Sequence, residues 1–178
     1  MSHDLFSSLD SFAAVSSAAG SLLFRDVAGE YRSAEPAEVL QAALRVLAGQ
    51  LRGTEMLSSP QVVRDFLRVK LGALEHEVFS VLMLDAQNRL IEYVELFRGT
   101  VSQASVYPRE GGKESLARKA AARILVHNHP SGVAEPSRAD EHLTQTLKAA
   151  LALVDVRVLD HLIVAGSDVL SFAERGLL

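Results

Sequence analysis

The chain has 178 residues, 48% hydrophobic and 22% charged, which suits one core-bearing globular domain with a small appendage and excludes disorder. A net charge of −4 argues against a general nucleic-acid binder, and the lack of cysteine removes disulfides, thiolate catalysis and thiolate metal sites. No apolar run reaches the roughly 18–20 residues of a membrane-spanning helix, and the opening MSHDLFSSLDSF has no cationic start before an apolar block, so a cytoplasmic protein is expected.

Residues 1–59 read as helical, alanine-rich, with Val39, Leu40, Ala43, Leu44 and Leu47 at helical spacing. Pro36 suits the first turn of that helix, and Gly49 and Gly53 suit its end. The step Leu57-Ser58-Ser59-Pro60 reads as a boundary, dividing a helical segment at 1–57 from an α/β domain at 58–178. Ser59 is the expected N-cap of a helix over 60–71, which Gly72 stops. Val78 to Leu84 is a continuous apolar run of strand length, the pattern of a strand covered on both faces. Turn residues 85–88 then precede a second strand from about Leu90 to Phe97, so 77–97 reads as a hairpin. A helix is expected from Pro108 to about Ala121, a strand at Arg123–Asn128 and a loop to Pro136. A helix from Ser137 to about Leu153 follows, then a strand at Val156–Val164 and a short edge at Val169–Phe172. The fold class is α/β (α+β).

Charge is uneven along this order. Residues 1–59 carry −3, whereas 109–123, with Arg109, Lys113, Arg118, Lys119 and Arg123, carry +3. A solvated helix face explains the cationic stretch, and a nucleic-acid contact is the alternative.

The chemistry concentrates in Leu125-Val-His-Asn-His-Pro-Ser-Gly-Val-Ala-Glu-Pro-Ser-Arg-Ala-Asp140. Residues two apart on a strand share a side, so His127 and His129 present two imidazoles to one point. The loop to Pro136 turns the chain back, and Asp140 in the first turn of the next helix can reach that point. Two neutral imidazoles and a carboxylate, with a further position open to water, are the donors of a catalytic zinc site, here one ion per chain. A lone strand histidine is usually a packing residue, and Ser137-x-x-Asp140 is also an ordinary capping box. The whole pattern is another matter. His-x-His-Pro, six residues, Ser-x-x-Asp has a chance frequency on the order of 10⁻⁴ to 10⁻⁵ when each type is about a twentieth of composition.

A general base is also needed. A carboxylate at the mouth of a buried strand can take a proton from water and pass it to a leaving amine, which makes Glu77 a candidate alongside Glu75 and Glu135. His161, inside a strand, reads as a hydrogen-bonded core histidine or as a support for a ligand. His142 should face away from Asp140, and His76 and His3 read as surface.

The pattern resembles the JAMM motif of the MPN (JAB-type) metalloproteases. His127-Asn-His-Pro-Ser-Gly132 followed by Pro136-Ser137-x-x-Asp140 resembles specifically the bacterial RadC-like family, also called UPF0758-like. The resemblance runs from about Ser58 to Leu178 and includes Glu77-Val-Phe, Leu96-Phe-Arg-Gly-Thr100, Pro108-Arg-Glu110, Leu159-Asp-His161 and Ala173-Glu-Arg-Gly-Leu177. It implies an MPN mixed sheet flanked by helices, zinc on His127, His129 and Asp140, and Glu77 as general base. It also implies Ser137 as donor to the tetrahedral intermediate and a peptide or isopeptide substrate. Two departures stand out. The N-terminal helix-hairpin-helix of such proteins would fall in 1–57, where Arg32-Ser-Ala-Glu-Pro-Ala37 lacks the hairpin glycines, so DNA is not expected there. Gly111-Gly112 also replaces bulkier residues within a helix. The family's DNA-repair association supplies the alternative function, an accessory module in nucleic-acid processing. A third option is an MPN scaffold, which would need neither the three ligands nor Glu77.

Overall fold

The structure is a computed structural model that describes residues 22–52, 59–99 and 107–178. His3, Gly53, the Leu57-Ser58 step and Thr100 therefore lie outside the described residues. The chain forms two compact units, one ending at Ala43 and the other running from Leu44.

In the first unit, strands β1 (Leu23–Arg25) and β2 (Tyr31–Ser33) form an antiparallel ribbon where helix was expected. The cause is local. Asp26 Oδ1 accepts from the amides of Ala28 and Glu30, and Gly29 turns the chain at φ +91°, so this stretch closes a hairpin instead of continuing a helix. Helix α1 (Pro36–Leu51) starts at the expected proline but runs through Gly49.

The second unit is built on a mixed five-stranded sheet in the order β4-β3-β5-β6-β7. Strands β3 (Val78–Leu84) and β4 (Leu90–Arg98) form the expected hairpin, and β3 also pairs antiparallel with β5 (Ala122–Asn128). Strand β5 runs parallel to β6 (Arg157–Ala165), and β7 (Asp168–Ser171) closes the far edge before the short helix α5 (Phe172–Arg175). Both β3 and β5 are buried along their whole length, β3 as its apolar run requires. Their side chains alternate between two cores. Val78, Leu82, Ile124 and Val126 face helix α2 (Pro60–Leu71) and the last turns of α1, where Leu44, Leu47 and Leu51 pack. Phe79, Val81 and Leu125 face Leu143, Leu147 and Leu151 of helix α4 (Arg138–Ala152).

Three boundaries have physical causes that composition did not reveal. Ser59 stands at the N-cap of α2 without a side-chain capping bond, so Pro60, which has no amide hydrogen to satisfy, starts the helix. After α2, the Cβ of any other residue at Gly72 would lie 2.5 Å from the Gly166 carbonyl oxygen, so glycine there permits a close approach of two backbones. Helix α3 (Pro108–Ala117) ends before Ala121 because Lys119 turns left-handed, at φ 54°. The first glycine of α3 also gains a reason, whereas a Cβ at Gly112 would meet open space. Arg123, 1% exposed on β5, donates to the Gly111 carbonyl, and a Cβ at Gly111 would meet that guanidinium at 3.2 Å.

Leu51 is fully buried in the core beneath α2. Leu51→Ala should therefore lower the unfolding free energy by about 2–5 kcal/mol in a denaturant titration. A truncation beginning at Leu44 should fold, whereas one beginning after Leu51 should unfold at distinctly lower denaturant.

Candidate metal centre

Strand β5 delivers its last residues to the open end of the sheet, between β3 and β6. His127 is still paired, opposite Phe79 on one side and Ile163 on the other, and is 1% exposed. His129 lies just past the strand, its amide bonded to the Val164 carbonyl at 2.8 Å, and is half-buried. The loop then turns through Gly132, at φ +76°, and its Val133 carbonyl accepts from His129 Nδ1 at 2.8 Å. Because a carbonyl can only accept, His129 carries a proton on Nδ1, and the neutral ring therefore turns a lone pair inward at Nε2. Ser137 caps α4 in a full capping box, so Asp140 sits where the first helical turn aims its carboxylate back at the histidines.

The three groups meet. His127 Nε2 is 2.9 Å from His129 Nε2 and 3.3 Å from Asp140 Oδ1, and His129 Nε2 is 3.6 Å from Asp140 Oδ2. One donor atom from each lies within 4.8 Å of the others. Burial pushes the His127 imidazole down to about 4, so it is neutral at physiological pH. The Asp140 carboxylate raises His129. Burial alone would raise Asp140, but the neighbouring His129 and His127 imidazoles and the hydrogen bonds from the Ser137 hydroxyl and amide hold its carboxyl well below the usual carboxylate range. Two imidazole nitrogens and an ionised carboxylate fit a borderline divalent cation such as zinc.

Behind these donors, sequence reading missed a buried chain of contacts. His127 Nδ1 lies 2.8 Å from His161 Nε2, His161 Nδ1 lies 2.6 Å from Thr144 Oγ1, and Thr144 Oγ1 donates to the Asp140 carbonyl at 2.6 Å. His161 and Thr144 are both fully buried. His161 is thus bonded to a proposed ligand as well as packed, against Phe79 and Phe172. The signal was its place on a strand pairing with β5, which needs the register to interpret.

Asn128, between the two histidines, points to the other side of β5. Its Oδ1 accepts from the Val78 amide at 2.7 Å and its Nδ2 donates to the His76 carbonyl at 3.0 Å. These contacts bracket Glu77, whose own carbonyl accepts from Gly99 at 2.9 Å. Glu77, Glu75 and Glu135 all line one cleft of about 730 Å³ with the three donors. Glu77 alone of the three is half-buried, and its charge also helps raise His129. Glu75 is exposed, and Glu135, also exposed, is 3.5 Å from Arg175. His76 is exposed at the cleft rim, and His142 is exposed on α4. Ser137 Oγ donates to Asp140 Oδ2 at 2.7 Å, and the Ser137 amide donates to the same oxygen at 2.8 Å.

The cationic stretch 109–123 is partly paired or buried. Arg123 is buried, Arg118 pairs with Glu92 and Glu114, and Arg109 lies 3.4 Å from Glu110. Among the described residues no helix is long and apolar enough to cross a membrane.

Purified protein should bind one equivalent of zinc, measured by elemental analysis. His127→Ala and His129→Ala should each lose it, because two remaining protein ligands rarely hold the ion. Stoichiometric zinc in both variants would contradict this donor set.

Known proteins place the chain in the same frame. Residues 57–177 match the RadC-like JAB domain family. A UPF0758 protein of Methylibium petroleiphilum is 64% identical over 150 residues, covering 84% of this chain and 68% of the relative. One from Leptothrix cholodnii is 63% identical with the same coverage. A third, from Aromatoleum aromaticum, is 64% identical over 141 residues, or 79% of this chain and 63% of the relative. The chain thus spans about two thirds of the length of these curated relatives, between 63% and 68%. With a mixed sheet of the JAB type and a match over most of its length, the chain belongs to the RadC-like JAB domain family.

Proposed function

We propose that this chain is a zinc-dependent hydrolase of amide or isopeptide bonds, acting on a peptide or isopeptide substrate in the cytoplasm. The observation that carries the reading is the convergence of His127, His129 and Asp140 on the floor of a cleft that Glu77 also lines.

His127, His129 and Asp140 would hold the ion, and zinc bound there would supply Lewis acidity for a carbonyl and acidify water toward neutral pH. Glu77 is the proposed general base. Its carboxylate takes a proton from the attacking water and delivers it to the leaving nitrogen, so proton balance is kept without a second acid. Asn128 holds the backbone on both sides of Glu77 and so limits where that carboxylate can go. Ser137 is the proposed donor to the oxyanion. When its hydroxyl turns to the substrate, its amide still holds Asp140 Oδ2, so the carboxylate keeps a partner.

The test separates base from ligand. Glutamine keeps the size of glutamate but cannot accept the proton. With zinc-loaded protein and a substrate found in peptide and isopeptide libraries, Glu77→Gln should keep its zinc and lose about 10²–10⁴ of turnover. Asp140→Asn should lose zinc affinity and turnover together. A Glu77→Gln protein without zinc would make Glu77 a ligand. Full activity would move the base to Glu75 or Glu135.

Asn128→Ala provides a second check on the same substrate. It should retain zinc while kcat falls, because the ligands stay in place and the Glu77 backbone loses its brace. Unchanged kcat would remove Asn128 from the account.

A further inference from the structure

We infer that the main-chain carbonyl of Asp140 dictates which nitrogen of His127 carries the proton, acting through Thr144 and His161, and that these two buried side chains are positioning residues for metal binding. The inference rests on the metal-centre reading and names what controls that centre from behind.

The reasoning is one of donors and acceptors. Imidazole and hydroxyl can each donate or accept, so the contacts His127–His161 and His161–Thr144 are ambiguous in isolation. The end of the chain is not. A main-chain carbonyl has no hydrogen, so across the 2.6 Å contact the Thr144 hydroxyl must donate to the Asp140 oxygen. That hydroxyl has a single hydrogen, so toward His161 it can only accept, and His161 must be protonated on Nδ1. Being neutral, His161 then has a lone pair at Nε2, which accepts from His127 Nδ1 across 2.8 Å. His127 is therefore left with a lone pair at Nε2, on the cleft side.

The outcome matches His129, whose Nε2 is freed by the Val133 carbonyl. Two lone pairs then face each other across 2.9 Å beside a carboxylate, an arrangement of acceptors that a cation resolves. The chain also closes on itself. It leaves one proposed ligand, His127, crosses from β5 to β6 and α4, and ends on the backbone of another, Asp140. Every member is buried, so no water competes to reverse it.

The test uses the full chain with two measurements. Zinc affinity is read by competition with a chelator, and the His127 tautomer is read by long-range proton–nitrogen NMR on zinc-free protein. Thr144→Val keeps the shape and removes the hydroxyl, whereas Thr144→Ser restores it. Zinc-free wild type should show His127 protonated on Nδ1. Thr144→Val should shift that proton toward Nε2 and weaken zinc binding by roughly 10–100-fold, the usual effect of losing support behind a ligand. Thr144→Ser should stay close to wild type on both. His161→Phe should weaken zinc at least as much, and if it fails to fold the threonine pair still decides. A folded Thr144→Val protein with wild-type affinity overturns the inference, and so does wild-type His127 protonated on Nε2. Wild type that binds no zinc yet shows the Nδ1 proton would overturn the metal reading while leaving the relay standing.

Discussion

Everything at the open end of this sheet depends on the register in which β5 lies between β3 and β6. His127 stands opposite Phe79 and Ile163, while Leu125 stands opposite His161, which brings the two histidines onto one face as diagonal neighbours. A slip of one residue would send His127 to the opposite core and put Asn128 in the cleft. The apolar alternation of Val126 and Ile124 on one face, and of Leu125 on the other, holds that register against both helical layers. Core packing and site geometry are thus the same constraint seen from two sides of the strand.

This explains which parts were legible before the structure. The strands expected at 78–84 and 123–128, the helix from Ser137 and the grouping of His127, His129 and Asp140 all follow from short-range patterns: an apolar run, a period of two, a capping box. The parts that were missed depend on partners distant in the chain. For His161 the sequence leaves core histidine and ligand support open, because its bond to His127 spans 34 residues and exists only once β5 and β6 pair. Thr144 sits on a helix face with nothing to mark it. Asn128 looked like a spacer between ligands, yet it braces residues about 50 positions upstream. The ribbon at 23–33 was read as helix because the alanine-rich surroundings outweighed the Asp26 and Gly29 turn chemistry.

The buried polar groups divide into two kinds. His161, Thr144 and Asn128 are neutral and hydrogen-bonded, so burial in a low dielectric strengthens their network. Arg123 is different: burial drops its guanidinium to about 10, still charged at neutral pH, and its Nε and the Ser115 hydroxyl show no hydrogen-bond partner. A side chain at Gly111 would crowd that guanidinium at 3.2 Å. Gly111, which looks like a defect in α3, is the space beside which that charge is held.

The donors and their relay all fall between His127 and His161, inside a single strand–helix–strand crossing, whereas Glu77 arrives from outside it. Asn128 is the tie between the two. Heredity can therefore act on them separately. Under the proposed function, one substitution at position 77 would leave a descendant that keeps the cradle and abandons the reaction. Erosion of the cradle itself would disturb a network buried in the core. Lineages that drift away from catalysis should accordingly lose the glutamate first and the histidines last.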